Sequence, residues 1–294
     1  MDKTVLVVGD VIVDEYIYVE TKRQASEAQI PVWDEVRRES RPGGAWNVAK
    51  NIQAMDPTLK VYLAGILGVQ RWHSELEGRW CFGGDELVKR RYVHNGRIIF
   101  RHDDRLKVDE VDAGLLLDGL YKIGIHDGGP GVFDAVVYSD YDKGTLTDGT
   151  ISYCNDIAEL VVVDSKRKDL NPFSRGRGDW MTILKVNEAE WGMHAGDPIC
   201  PEALFDHVVV TKGKDGAALR QYDRRESNIR RNVIHEENFP SKRVWPVDVT
   251  GCGDTHTAAM TVSLLRENGI RESVRFANEK ASLAVQQFGT SVVK

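Results

Sequence analysis

The stretch Gly251-Cys252-Gly253-Asp254 opens a run, 252–268, in which apolar residues recur at helical spacing. The first N–H groups of a helix have no partner inside it, and the helix dipole draws negative charge to that end. Glycines at 251 and 253 let the backbone come close to an anion, and Cys252 is small enough to leave access open. An acid placed there would be a poor stabiliser of developing negative charge. It suits the role of a base instead: Asp254 could take the proton of a hydroxyl whose oxygen attacks a phosphoryl group held by the N–H groups. The same four residues also fit a plainer reading, in which Asp254 only favours the start of the helix. A Gly-Gly pair, Gly43 and Gly44, leads into a second helical pattern at 44–55, which carries Asn47.

Such residues need a scaffold, and the chain has the pattern of one. Short β-branched apolar runs recur at 4–10, 60–68, 134–141, 159–165, 181–187 and 207–213. They read as strands buried on both faces, as in a parallel sheet. Helical patterns fall among them at 44–55, 111–124, 144–159, 187–193, 252–268 and 271–287. This alternation predicts an α/β fold, a doubly wound, mainly parallel sheet. Ligands gather beyond the carboxyl ends of such strands, where several runs end in Gly, Asp, Asn or Lys. Residues 11–36 and 88–105 break the alternation with polar-alternating extended sequence. They form either a small β lid over a site or an edge hairpin of the main sheet.

The 294 residues and a net charge of −6 bound the rest. The length suits one large domain spanning 1–294 with the two lid segments inserted. The acidic balance argues against a nucleic-acid partner. No stretch approaches the ~20 apolar residues of a membrane span, and the N-terminus lacks the parts of a signal peptide. The four cysteines are far apart and form no CxxC pair. A cytoplasmic protein is expected.

With Asp248 and Thr250 the motif becomes Asp-Val-Thr-Gly-Cys-Gly-Asp. It resembles the Asp-Thr-x-Gly-Ala-Gly-Asp box of the ribokinase-like (PfkB) carbohydrate kinases, and 41–52, Arg-Pro-Gly-Gly-Ala-Trp-Asn-Val-Ala-Lys-Asn-Ile, resembles their Gly-Gly-x-x-x-Asn-x-Ala box. Further segments are similar to the D-glycero-β-D-manno-heptose 7-phosphate kinases, the kinase half of a bifunctional ADP-heptose synthesis protein. These are the opening Val-Leu-Val-Val-Gly-Asp, then Ser-Asp-Tyr-Asp-Lys-Gly at 139–144, Leu-Lys-Val-Asn-Glu-Ala-Glu-Trp at 184–191 and the closing Gly-Thr-Ser-Val-Val. The resemblance covers nearly all of 4–293. It departs at Cys252, where the family has Ala, at Ser26, Gln29 and Val186, where it has Pro, at Asp164-Ser165-Lys166-Arg167, and in a shortened, Trp-rich 68–86.

The resemblance implies an ATP-dependent sugar kinase acting on O1 of a heptose 7-phosphate. Asp254 would be the base, with Gly251, Cys252 and Gly253 as the anion hole. Asp14 and Asn47 would hold sugar hydroxyls, and Gly43 and Gly44 would pass close to the sugar. Lys89, Arg91, Arg101 and Lys143 would hold the phosphate already on the acceptor. Asn187 and Glu190 would organise Mg²⁺ and phosphate through water, Thr211, Gly213 and Gly216 would line the nucleotide, and Asn278 would lie near the adenine. Asp248 and Thr250 stand where relatives bind a monovalent cation, so K⁺ is implied. A homodimer through the lid is implied too, with a separate nucleotidyltransferase for the adenylyl-transfer step, since no His-x-Gly-His segment follows Lys294. The alternatives are a kinase of another sugar, sugar phosphate or nucleoside, and a binding protein without turnover.

Overall fold

The computed structural model describes residues 3–67, 78–82, 86–104, 107–126, 133–174, 181–194, 204–222 and 233–294. Strand β1 (Thr4–Gly9) leads into two long strands, β2 (Val11–Gln24) and β3 (Pro31–Gly44), and then helix α1 (Ala45–Met55). Strands β4 (Lys60–Ile66), β5 (Gly78–Phe82), β6 (Leu87–His94) and β7 (Arg97–Asp103) follow, then α2 (Glu110–His126), β8 (Phe133–Asp140), α3 (Asp148–Asp156) and β9 (Ala158–Ser165). The remainder is β10 (Met181–Asn187), α4 (Glu188–Met193), β11 (His207–Thr211), β12 (Ala217–Tyr222), β13 (Val233–Phe239), α5 (Cys252–Leu265) and α6 (Ile270–Ala284).

The main sheet has nine strands in the order β13-β12-β11-β10-β9-β8-β1-β4-β5. It is parallel from β5 to β11, and the last two strands are antiparallel. Its apolar runs bury both faces because successive side chains point to opposite sides. Val5 and Val7 join the core under α1, α5 and α6, whereas Leu6 and Val8 join the core under α2 and α3. The strand order reverses at β1, which pairs with β4 on one side and β8 on the other. The crevice at that reversal is where an open α/β sheet receives ligands.

The two polar-alternating stretches do not lie on the edge of the main sheet. They build a separate four-stranded sheet, β3-β2-β6-β7. Hairpins β2–β3 and β6–β7 are antiparallel, and a parallel β2–β6 pairing joins them. The first segment runs further than its sequence suggests. Arg37 to Gly44 has no apolar alternation, yet it stays extended because its main chain pairs with Val11 to Tyr18. Conversely, the helix expected over 144–159 is shorter. Thr147 caps α3 by accepting from Thr150 N at 3.1 Å, which fixes its start beyond Gly144. Of the unusual 68–86 segment, only β5, an edge strand beside β4, and Glu86 fall within the described residues.

Asn51, fully buried in α1, ties the end of the chain to the site. Its Nδ2 donates to the Asn47 carbonyl (2.9 Å), Asn47 Oδ1 (3.1 Å) and the Ser291 carbonyl (3.1 Å), and its Oδ1 accepts from Val293 N (3.0 Å). Nearby, Thr290 N donates to the Tyr16 hydroxyl (3.1 Å), and Arg41 donates to the Phe288 carbonyl.

Candidate active site

Helix α5 starts at the mouth of the crevice. Its N-cap is Gly251, in the left-handed region at φ 77°. A side chain there would also come within 2.8 Å of Asn47 Nδ2, so glycine is required twice over. Cys252 N donates to the Val249 carbonyl at 3.3 Å and Thr255 N to the Gly251 carbonyl at 2.9 Å. Between them, the N–H groups of Gly253 and Asp254 have no acceptor among the described residues. Gly251 N likewise has no acceptor among the described residues, so of the three donors expected from the Gly-Cys-Gly turn only Cys252 N is engaged, and Asp254 N adds a further open one. The Cys252 thiol is pushed up to about 12 by burial and by Asp248 and Asp254. It stays protonated and packs beside the core under α5.

Asp254 is buried, and its carboxylate does not cap its own helix. Asn47 Nδ2 donates to Oδ2 at 2.9 Å, and the Tyr141 hydroxyl donates to Oδ1 at 2.7 Å. Burial, helped by Asp164, raises its pKa above the ordinary carboxylate value, against the lowering effect of Asn47, Tyr141 and Lys185. Tyr141 was not singled out by sequence reasoning, and neither was Asp10, which places it. Asp10 Oδ2 accepts from the N–H groups of Tyr141 (2.7 Å) and Lys143 (3.3 Å), and burial lifts that carboxyl to about 6. The Gly-Asp that ends β1 was the available signal, read as a strand stop.

Around the Tyr141 ring stand two ammonium groups, Lys89 Nζ at 4.1 Å and Lys166 Nζ at 4.6 Å from its centre. Burial lowers Lys89 to about 8. The other two basic residues of the small sheet are already engaged. Arg91 is buried in an ion pair with Asp14, and Arg101 holds Asp103 through two bonds of 2.6 Å. Lys143 is placed through its backbone, and its side chain is half-buried. Gly43 and Gly44 pair with Ile12 and Val11, and Gly44 is also the N-cap of α1, which carries Asn47.

At the end of β10, Asn187 and Glu190 form a capping box for α4. Asn187 Oδ1 accepts from Glu190 N at 2.8 Å, and Glu190 Oε2 accepts from Asn187 N at 2.9 Å. Glu190 is buried, and its second oxygen takes Lys166 Nζ at 3.1 Å. Deeper in, Lys185 Nζ lies 2.8 Å from Asp164 Oδ2, which also accepts from the Thr257 hydroxyl at 2.9 Å. Thr211 ends β11 beside β10, followed by the turn holding Gly213 and Gly216. Asn278 is engaged internally, donating to the Phe239 carbonyl at 2.9 Å and lying 3.3 Å from His256. Asp248 takes the N–H and hydroxyl of Thr250 and the N–H of Gly289. That arrangement organises the turn and lends no support to a potassium ion there.

The model of the pfkB family carbohydrate kinases matches residues 136–293. The chain belongs to that family. It is thus an ATP-dependent sugar kinase. The bifunctional protein HldE of Caulobacter sp. (strain K31) is 31% identical over 305 residues, 99% of this kinase and 61% of the relative. HldE of Helicobacter pylori (strain J99) is 30% identical over 323 residues, 99% of this kinase and 64% of the relative. This kinase thus spans about three fifths of the curated relatives it matches. Among solved structures it is similar to phosphofructokinase-2 from Escherichia coli in complex with potassium, with a TM-score of 0.70, 16% identity, and 100% and 96% of the two chains covered. It is also similar to ribokinase from Thermotoga maritima, with a TM-score of 0.68, 15% identity and 99% and 95% covered. These likenesses establish the ribokinase-like fold, including the small separate sheet.

The Tyr141 hydroxyl holds the Asp254 carboxyl down by donating to its charged form. Tyr141→Phe is expected to raise the Asp254 pKa further, so that the carboxylate protonates at higher pH as the solution is acidified. Carboxyl-carbon NMR titration of both proteins checks this. An unchanged midpoint would mean that the hydrogen bond carries no weight.

Proposed function

We propose that this kinase transfers the γ-phosphoryl group of ATP to O1 of D-glycero-D-manno-heptose 7-phosphate. The observation that carries the reading is the Asp254 carboxylate, buried beside the unpaired N–H groups of Gly253 and Asp254. In the reaction Asp254 takes the proton of the attacking hydroxyl, and its raised pKa makes it a stronger base than an exposed carboxylate. Asn47 and Tyr141 fix the direction of that carboxylate. The two N–H groups face the oxygens of the transferred group, where charge is shared in the transition state. Asp14, neutralised by Arg91, and Asn47 hold sugar hydroxyls.

Thr211, Gly213 and Gly216, at the carboxyl end of β11, line the nucleotide. Magnesium, when bound with the nucleotide, would offset phosphate charge. Asn187 and Glu190 would hold it through water, their oxygens suiting a hard cation, and Lys166 on Glu190 is 40% exposed and can give way. The acceptor's own phosphate is read from Lys89, which, unlike Arg91 and Arg101, is engaged by a carboxylate in no ion pair found among the described residues, and from the HldE relatives. The small sheet serves as the lid. Its edge strands carry exposed Trp33, Val36, Ile98, Ile99 and Phe100, the apolar surface through which the kinase forms a homodimer.

Three measurements test these points. Release of ADP is expected with heptose 7-phosphate and not with free hexoses, hexose phosphates or nucleosides, and Asp254→Asn is expected to lower turnover about 10²–10⁴-fold with the fold intact. A preference for another acceptor would overturn the substrate, and wild-type turnover in that variant would overturn the base. Because Lys89 loses its proton near pH 8, KM for a phosphorylated acceptor is expected to rise above that pH, and Lys89→Met should abolish the pH dependence. Light scattering is expected to give twice the chain mass, and one charge at Phe100 (Phe100→Asp) should give the monomer.

A further inference from the structure

Lys185 is the fifth residue of β10, in the otherwise apolar run Met-Thr-Ile-Leu-Lys-Val-Asn. It is 5% exposed. A lysine is rarely buried without a purpose, and a buried ion pair is poor evidence of stability, because two apolar side chains would fold as well or better. Its partner is its register neighbour on β9, Asp164, whose Oδ2 also accepts from Thr257 in the second turn of α5. The pair therefore fixes an ammonium group against α5. A side chain on Gly253 would stand 3.0 Å from Lys185 Nζ. The nitrogen thus lies beside Gly253, whose N–H lacks an acceptor among the described residues. An ammonium group has three protons, and the one acceptor found for them among the described residues is Asp164. The positive end of the helix and a cation repel one another, so their convergence makes sense around an anion. Burial would lower the lysine pKa, but Asp164 outweighs it and keeps the group charged.

We infer that Lys185 is a catalytic residue that contacts the transferred phosphoryl group, and that Gly253 is glycine to give it access. The inference rests on the reading of the α5 mouth as the phosphoryl site. In the step the acceptor oxygen bonds to the γ-phosphorus, the bond to the β,γ-bridging oxygen breaks, ADP leaves with that electron pair, and the hydroxyl proton passes to Asp254. Lys185 exchanges no proton. It offsets charge on the equatorial oxygens together with the two N–H groups.

Lys185→Met is expected to lower kcat about 100-fold, the scale of losing one such donor, with the affinity for Mg·ADP retained. The same substitution in an Asp164→Asn background separates this role from that of a counter-ion. There no carboxylate is left to neutralise, the buried charge imbalance is gone, and a mere counter-ion could be removed without further loss. A further fall of similar size is expected. Wild-type kcat in Lys185→Met, or no further fall in the Asp164→Asn background, would overturn the inference. Calorimetry with Mg²⁺ supplies an arm that needs no acceptor: β,γ-imido ATP is expected to bind more tightly than ADP, and Lys185→Met to erase the difference. If the wild-type protein phosphorylates no acceptor and the difference is still erased, the kinase reading fails while the contact with the γ-phosphoryl group stands. If the wild-type turns over and the variant matches it, the assignment of Lys185 alone fails.

Discussion

The carboxylate of Asp254 is almost wholly removed from water, and Asp164 adds to the burial that draws its pKa upward. A carboxylate so placed keeps a defined direction and charge only if donors reach both oxygens. They come from distant parts of the chain, Asn47 from α1 and Tyr141 from the end of β8. Each donor is itself held. Asn51 fixes Asn47 and ties in the C-terminal segment, and Asp10 grips the loop that carries Tyr141. A chain of buried polar groups thus runs from the helix mouth to β1 and to the last residues of the protein. Satisfied networks of this kind give a site one geometry.

Two lysines illustrate how the surroundings divide labour between identical side chains. Lys89 is buried against an aromatic ring with no carboxylate in contact among the described residues, so desolvation dominates and its pKa falls to about 8. Lys185 is buried deeper, but Asp164 is 2.8 Å away and the balance reverses. Asp164 follows the same logic from the other side. Burial would raise it, yet Lys185 and Lys166 outweigh that and leave it below the usual carboxylate value. In the proposed reaction the tunable lysine belongs to the acceptor and the fixed one to the phosphoryl group.

The small sheet adds the remaining geometry. The chain passes from β1 into β2 within two residues, so the new sheet begins at the crevice. The parallel pairing of β2 with β6 then sets Asp14 opposite Lys89 and Tyr16 opposite Arg91. Arg91 and Arg101, similar in sequence to Lys89 as candidate phosphate ligands, are taken up by Asp14 and Asp103. The sheet therefore presents far less free positive charge than its composition suggests.

The sequence by itself determined the features that depend on a few neighbouring residues. The apolar runs specified strands buried on both faces, and the Gly-Cys-Gly-Asp stretch specified a helix mouth, because strand and helix preferences and left-handed glycine turns are local properties. Asn187 and Glu190 were legible as a pair, and their spacing is that of a capping box, although only the structure has the two side chains reciprocating. What the tertiary structure decided is which groups meet across elements. Whether Asp254 caps its helix or faces the crevice depends on Asn47 and Tyr141, 207 and 113 residues away. Whether a lysine in an apolar strand is free, paired or aimed at a helix mouth depends on the register of β9 against β10 and on where α5 lands. Those are consequences of how the sheet is assembled, and no local pattern in the chain encodes them.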